Sequence, residues 1–299
     1  MTLDQLRIFA VVAEQQHITR AAKILNRTQS AVSASIAALE DQHQIRLFNR
    51  VGRGIELTEA GRNFLPEAKS LLSRAEAVEI TLQDLGQDAL GRLRVHASQT
   101  VASYWLPPYL ARLKELHPRV EIQLSVGNTG QVAKSVEEGS ADIGFVEGVV
   151  DQKNLRRRAV ADDQLALLVS TTHPCAGRAY VAPSDYPELR WILREPGSGT
   201  RSEFANHLAQ NAMSLDDLEI AFELPSNEAI LAAVAAGPYA TILSRRAADW
   251  ATSSGRIRQV ATAIPTREFA ALVHPMRHLS RAASTLLDII DEKAMHERG

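Results

Sequence analysis

Two sets of side chains in this 299-residue chain could do chemistry. The first lies near the N-terminus. Gln29, Ser30 and Ser33 follow Thr28 at the start of a helical stretch, and Arg50 and Arg53 flank a glycine-bearing turn. A glutamine amide can pair bidentately with adenine, and hydroxyls can donate or accept at base edges. Guanidinium groups on a tight turn suit phosphates or the minor groove. The second set consists of hydroxyl and amide residues: Ser98-Gln99-Thr100, Gly127-Asn128-Thr129, Pro196-Gly197-Ser198-Gly199-Thr200-Arg201 and Ser226-Asn227. Each run follows an apolar, strand-like stretch. Hydroxyls, backbone amides and Arg201 converging at strand ends would hold a small oxyanion such as sulfite, sulfate or a short carboxylate. Any one such run is more often a plain helix cap, and Arg194 and Arg201 could simply be surface or salt-bridged arginines; four runs in one region favour a shared polar crevice.

No catalytic set can be assembled. The turn at 197–201 lacks the lysine of a phosphate-binding loop, and Gly197-Ser198-Gly199 does not match a nucleophile elbow. No H-E-x-x-H occurs, and His96, His117, His173, His207, His274 and His278 are scattered. Cys175 is the single cysteine, which excludes an intrachain disulfide and a cysteine-rich metal site. The expectation is no enzyme, no metal and no cofactor, only a small-molecule ligand.

The elements that would position these groups follow from periodicity. Leu3, Leu6, Ile8, Phe9, Val12 and Ala13 recur at helical spacing, and a second short helix reads from about Thr19 to Leu25. After the polar break Asn26-Arg27, Thr28 is an N-cap for a third helix with Val32, Ile36 and Leu39 on one side and the small residues Ser30, Ser33, Ala34 and Ala37 on the other. A helix entering the major groove needs one buried side and one slim, polar side. The same pattern also fits a three-helix bundle with a polar outer face. Residues 47–57 read as two short strands around a turn. Thr58 can cap a long helix to about Leu85, ended by Gly86, with a slight bend near residue 62 from Pro66. On it Phe64, Ala68, Leu71, Ala75, Val78, Leu82 and Leu85 alternate by four and three residues, the spacing of a pairing seam, although a helix lying on its own domain could show a similar stripe.

From Gly91 onward strands and helices alternate. Strand-like runs at 93–97, 120–126 and 143–145 are separated by helices at about 104–116 and 131–138; further strands read at 165–169, 191–193, 220–223, 239–243 and 269–273, with a last helix at about 280–294. This implies a parallel sheet with helices on both faces.

Composition bounds the class. Apolar residues are 45% and charged residues 23%, and no apolar run reaches the ~20 residues a bilayer span needs. The opening stretch does not read as a secretory signal, so a cytoplasmic location without membrane attachment is expected. Net charge is −2, but residues 15–57 carry a local +3 and residues 58–88 a local −3. The positive charge is confined to the segment that holds Gln29 and Arg50.

These residues carry a resemblance. From Phe9 to Gly61, the pairs Ala21-Ala22 and Leu39-Glu40, the single residues Gln29 and Ser33, and the runs Leu47-Phe48-Asn49-Arg50 and Leu57-Thr58-Glu59-Ala60-Gly61 closely resemble, in order and spacing, the winged helix-turn-helix of LysR-type transcriptional regulators. Two departures matter: the family often has proline where Ser30 stands and a basic residue where Ala34 stands. These shift the expected phosphate grip toward Arg20, Arg27, Arg50 and Arg53. The stretches around Ser98, Gly127 and Gly197 are similar to the family's effector domain, in wording closest to members that regulate sulfur or carbon assimilation and sense small anions.

The resemblance implies an α/β multidomain protein: a winged helix-turn-helix at 1–58, a linker and dimerisation helix at 59–88, and a two-lobed effector domain at 89–299 that is similar to periplasmic solute-binding proteins. One lobe would hold about 91–162 and 268–299, the other about 163–267. Implied DNA-binding residues are Arg20, Arg27, Thr28, Gln29, Ser30, Ser33, Arg50 and Arg53. Implied effector-binding residues are Ser98, Thr100, Asn128, Thr129, Glu147, Ser198, Thr200 and Arg201. Double-stranded DNA, a small-molecule effector and further copies of the chain, as a homodimer or homotetramer, are the implied partners.

Overall fold

The computed structural model describes residues 1–51, 54–84, 91–148 and 154–298. The chain divides into two compact units, Met1–Leu85 with Glu138–Ser140 and Gly86–Glu137 with Ala141–Gly299.

The first unit begins with three helices, α1 (Leu3–Gln15), α2 (Ile18–Ile24) and α3 (Gln29–His43). Thr2 and Gln5 form a capping box at α1, and Thr28 Oγ1 accepts from the Ala31 N–H at α3, so the expected cap is in place. Gln16, Asn26 and Gln44 adopt positive φ and stop the helices without glycine. Strands β1 (Phe48–Val51) and β2 (Gly54–Leu57) form an antiparallel hairpin, followed by the long helix α4 (Glu59–Asp84). The core gathers Leu6, Phe9, Val12, Val32, Ile36, Leu39 and Leu47. Phe9 packs against Phe48 and Phe64 with ring centroids 5.5 and 5.1 Å apart.

Glu40 fixes the hairpin. It is buried on α3, and its Oε1 accepts from the backbone N–H groups of Leu47 (2.7 Å) and Phe48 (3.1 Å) while Oε2 pairs with Arg46 at 2.9 Å. Thr58 then caps α4, accepting from Gly61 N–H at 3.0 Å and donating to the Arg46 carbonyl at 2.7 Å. Glu40→Ala is expected to destabilise this unit by about 1–3 kcal/mol, because it strands two N–H groups. The loss should appear in denaturant unfolding and in weaker DNA binding.

The supposed pairing seam of α4 divides. Ala68 is buried and Phe64 partly buried in the core of the unit itself, whereas Leu71 and Val78 are exposed. The first turns of the stripe therefore lie on their own domain, Ala75 is half-buried, and Leu71 and Val78 face outward. The Leu82 side chain, Leu85 and Gly86 lie outside what is described. Pro66 sits inside a helix that runs unbroken from Glu59.

The second unit holds β3 (Arg92–Ser98), α5 (Gln99–Tyr104), α6 (Pro107–Leu116), β4 (Glu121–Gly127), α7 (Thr129–Glu138), β5 (Ile143–Glu147) and β6 (Arg156–Ser170). It continues with β7 (Arg190–Arg194), α8 (Gly199–Gln210), β8 (Glu219–Leu224), α9 (Asn227–Ala236), β9 (Ala240–Ser244), α10 (Arg245–Ser253), β10 (Ile257–Val260), β11 (Thr266–Val273) and α11 (Arg281–Arg298). The strand order is β4-β3-β5-β11-β6-β9-β7-β8, with β10 also on β6.

Two α/β lobes result, joined by the long strands β6 and β11. β6 pairs with β11 up to Gln164 and with β9 from Leu165. The sheet is mixed rather than parallel. β3 runs parallel to β4 and β5, and β7 to β8 and β9, but β6 and β11 pair antiparallel because each carries the chain across from one lobe to the other. The helix expected over about 104–116 is α6, which Pro107-Pro108 starts a few residues later, and a short helix not expected from the sequence, α5, precedes it. Both lobes bury apolar clusters on both sheet faces: Trp105, Tyr109 and Leu286 opposite Val132 and Val136 in the first, Tyr186, Trp191 and Phe204 opposite Ile230 and Val234 in the second.

Candidate DNA-binding face and effector cleft

On the first unit, Thr28, Gln29, Ser30 and Ser33 are all exposed on α3, as are Ala34 and Ala37, while Val32, Ile36 and Leu39 face the core. Arg20 and Arg50 are exposed as well. Gln29 Oε1 accepts from Thr19 Oγ1 at 3.2 Å, and the Thr28 and Ser30 hydroxyls lie 3.1 Å apart. Arg27 is exposed and paired with Asp4 at 2.9 Å, an arrangement that water and salt largely screen. Arg53 lies outside the described residues.

The hairpin and α3 enclose an open groove of about 740 Å³, to which Thr19, Gln29, Ser33 and Ala37 contribute from the helices and Asn49 and Arg50 from the hairpin. Ile55 N–H donates to the Gln16 carbonyl at 3.3 Å and pins the hairpin to the turn before α2. The structure thus brings Gln29, Ser33 and Arg50 onto one concave surface. It also adds Thr19, in the first turn of α2, and Asn49, within β1, neither of which was among the residues expected to contact DNA.

On the second unit, Ser98, Thr100, Thr129, Glu147, Ser198 and Thr200 are buried, and Asn128 and Arg201 are partly buried. Ser98 and Thr100 open α5 after β3, Thr129 opens α7 after β4, Glu147 ends β5, and Ser198 and Thr200 open α8 after β7. The Ser98 hydroxyl donates to one Glu147 carboxylate oxygen, and the Thr129 hydroxyl donates to the Glu147 carbonyl at 2.8 Å. The lobes touch here. A Cβ on Gly199 would lie 2.1 Å from the Glu147 carbonyl oxygen, so only glycine permits that approach. Gly130 N–H meets the Gly197 carbonyl at 3.3 Å, and Asn128 Nδ2 reaches the Pro196 carbonyl at 3.4 Å.

A second set of bonds spans the lobes. Gln99 Oε1 accepts from Arg194 Nη1 (3.1 Å) and Asn227 N–H (2.9 Å), and Asn227 Nδ2 donates to Thr100 Oγ1 at 3.2 Å. Tyr104 donates to Glu228 at 2.6 Å, and Gln99 Nε2 donates to the same carboxylate. Burial pushes the Glu228 carboxyl up. The Tyr104 hydroxyl, its own backbone, Gln99 and Ser226 outweigh that and hold it below the usual range. Burial first, and then the bond to this carboxylate, push the Tyr104 phenol well up.

The arginines divide sharply. Arg194 is buried with its nitrogens engaged by Glu195, Gln99 and Asn227. Arg201 directs Nη1 at Glu223 and at the Arg194 carbonyl. Arg267, on β11, is buried; its Nε pairs with Asp163 at 2.8 Å and its Nη1 donates to Thr200 at 2.9 Å. Sequence reasoning missed Arg267 and Asp163. A signal exists: Arg267 falls in phase with Phe269 and Ala271, and Asp163 with Leu165, Leu167 and Val169, so each charge occupies an inward position of an apolar strand. Among the described residues, no group of three or more His, Cys, Asp or Glu could hold a metal ion.

A helix-turn-helix with a hairpin wing, followed by a two-lobed α/β unit with a polar cleft, defines a DNA-binding regulator controlled by a small molecule. Residues 3–62 match the bacterial regulatory helix-turn-helix protein of the lysR family, and residues 86–295 match the LysR substrate binding domain. The chain belongs to the LysR family: it is a transcriptional regulator with an effector-binding domain and not an enzyme. It is 36% identical over 293 residues to the HTH-type transcriptional regulator YeiE of Escherichia coli K12, covering 97% of each chain. A full-length OxyR variant from Pseudomonas aeruginosa shares the fold with a TM-score of 0.73 at 23% identity, over 97% of this chain and 94% of that one. The regulatory domain of Synechocystis CcmR, solved in complex with 2-PG, does so with a TM-score of 0.62 at 24% identity, over 68% of this chain and 97% of that one.

Proposed function

We propose that the chain is a cytoplasmic regulator that reads DNA with the groove between α3 and the hairpin, using Gln29, Ser30 and Ser33 at base edges. In this reading Thr28, Arg20, Arg27, Arg50 and Arg53 hold phosphates. Two copies pair through the exposed Leu71–Val78 side of α4, so that their recognition helices reach half-sites about one helical turn apart, and pairs of dimers form a tetramer. A small oxyanion such as sulfite, sulfate or a short carboxylate is the effector. Ser98, Thr100, Asn128, Thr129, Glu147, Ser198, Thr200 and Arg201 line its cleft, and the effector biases the angle between the lobes. The observation that carries the reading is the exposure of the slim face of α3 beside Arg50 in one groove. A regulatory domain of the same fold, that of CcmR, in complex with 2-PG supports a small-ligand cleft.

The test is gel mobility of DNA from upstream of the protein's own gene, with and without sulfite, sulfate and acetate. A retarded band whose position or affinity changes with one anion is expected; unaltered migration of that DNA at micromolar protein would sink the reading. Arg50→Ala is expected to weaken binding to all DNA sequences alike and to reduce the slope of log affinity against log salt by about 1. An unchanged slope would remove the hairpin from the contact.

A further inference from the structure

At the cleft proposed above, Ser198 and Arg267, which bonds to the cleft residue Thr200, are buried donors with no acceptor among the described residues for one group each. Ser198 is 1% exposed and Arg267 5% exposed, yet Ser198 Oγ and Arg267 Nη2 have no hydrogen-bond partner among the described residues. Buried polar groups in folded proteins are nearly always paired, so a pair of orphans marks a place where something is missing. Ser198 stands at the N-cap of α8, a twelve-residue helix, and does not cap it. Arg267 is tied by Nη1 to Thr200, in the first turn of that same helix. The two orphans therefore belong to one locus, the start of α8 where it meets the crossing strand β11.

Asp163 is shared between two arginines here, while the other buried carboxylate of the cleft, Glu147, is engaged by the Ser98 hydroxyl. Asp163 serves Arg267 at 2.8 Å and also lies 3.8 Å from Arg246, and both guanidinium groups sit about 6 Å from the centre of the Phe269 ring. One carboxylate thus faces two cations. Arg194 and Arg201, in contrast, already have Glu195 and Glu223. An acceptor with negative charge and at least two oxygens fits what is left over: one oxygen for Nη2, one for the Ser198 hydroxyl, with the open amides of α8 behind them.

Resting on the reading of the cleft as an anion site, we propose that Arg267, with Ser198 as second donor, is the residue that anchors the effector oxyanion. Arg267 lies on β11 and its counter-ion Asp163 on β6, the two strands that cross between lobes, whereas Ser198 and Thr200 belong to one lobe and Ser98 and Thr129 to the other. The Glu147 carbonyl presses on Gly199 in the closed cleft. An anion seated on Nη2 parts these segments and moves the crossing strands, so binding is read by both lobes at once.

The experiment is calorimetric titration of the full-length protein with sodium sulfate, sodium sulfite and sodium acetate at constant ionic strength. Ser198→Ala removes a hydroxyl that makes no bond to any described residue, so its melting temperature should match wild type while anion affinity falls about tenfold. Arg267→Gln should abolish measurable binding, and Arg267→Lys, which keeps the charge but loses the fork, should restore part of it. If Arg267→Gln does not fold, Ser198→Ala and Arg267→Lys still decide. Wild-type affinity in both overturns the anchoring role and leaves the anion cleft standing. No heat with any of the anions for a wild-type protein that still retards DNA overturns the anchor and the anion effector together.

Discussion

Asp163→Ala is expected to destabilise the second unit by about 3–5 kcal/mol, the usual consequence of removing one member of a buried ion pair. The Asp163 side chain is fully buried and that of Arg267 is 2% exposed, so the guanidinium left behind cannot recover its hydration. The carboxylate also accepts from Ser244 Oγ at 2.6 Å, and Ser244 caps α10 by accepting from Arg246 N–H. Removing it therefore loosens the start of α10 as well as the crossing strands. Trp105, Trp191 and Trp250 all lie in the second unit, so tryptophan fluorescence during denaturant unfolding reports that unit selectively. Asp163→Asn, which keeps an acceptor oxygen, should lose less. The double replacement Asp163→Leu with Arg267→Met should recover much of the loss, because an apolar pair has no desolvation to repay. An unfolding free energy for Asp163→Ala within about 1 kcal/mol of wild type would mean that the pair is hydrated after all.

The elements whose periodicity is carried by apolar residues were legible before the structure. The capped α3, the hairpin at 48–57, the long α4 and most strands of the second unit stand where the patterns put them. What escaped was encoded in polar residues or in partners distant along the chain. The first half of β6, Arg156 to Gln164, is largely polar, and it is a strand because β11 lies beside it some hundred residues later. β10 has only four residues and exists by pairing with the same strand. For the cleft, the runs at strand ends were visible because each sits next to its own strand. Arg267 and Asp163 were not, since neither belongs to a run of hydroxyl and amide residues after a strand and each acquires meaning only from the other, 104 residues away. Likewise no local pattern could separate Arg201, engaged by Glu223, from Arg267; that distinction depends on which acceptors the fold places within reach.

Ser33→Glu is expected to weaken operator binding by roughly a hundredfold to a thousandfold, equivalent to the several kcal/mol that a like-charge contact costs at an interface. Ser33 is exposed on the slim side of α3, in the groove it shares with Gln29 and Arg50. The residues beside it on that side, Ala34 and Ala37, are too small to shield a glutamate from a duplex. The fold itself should not register the change: the position is solvent-facing in mid-helix, glutamate is a good helix former, and the core on the other side consists of Val32, Ile36 and Leu39. Ser33→Gln separates charge from size. The neutral amide has nearly the same bulk and should lose much less affinity if repulsion by phosphates is the cause. Electrophoretic titration with both variants at two salt concentrations makes the comparison, since added salt should narrow the gap between Glu and Gln. Equal, near-wild-type affinities for Ser33→Glu and Ser33→Gln would mean that this side of α3 does not face DNA, and the duplex would then have to be sought on another surface of the first unit.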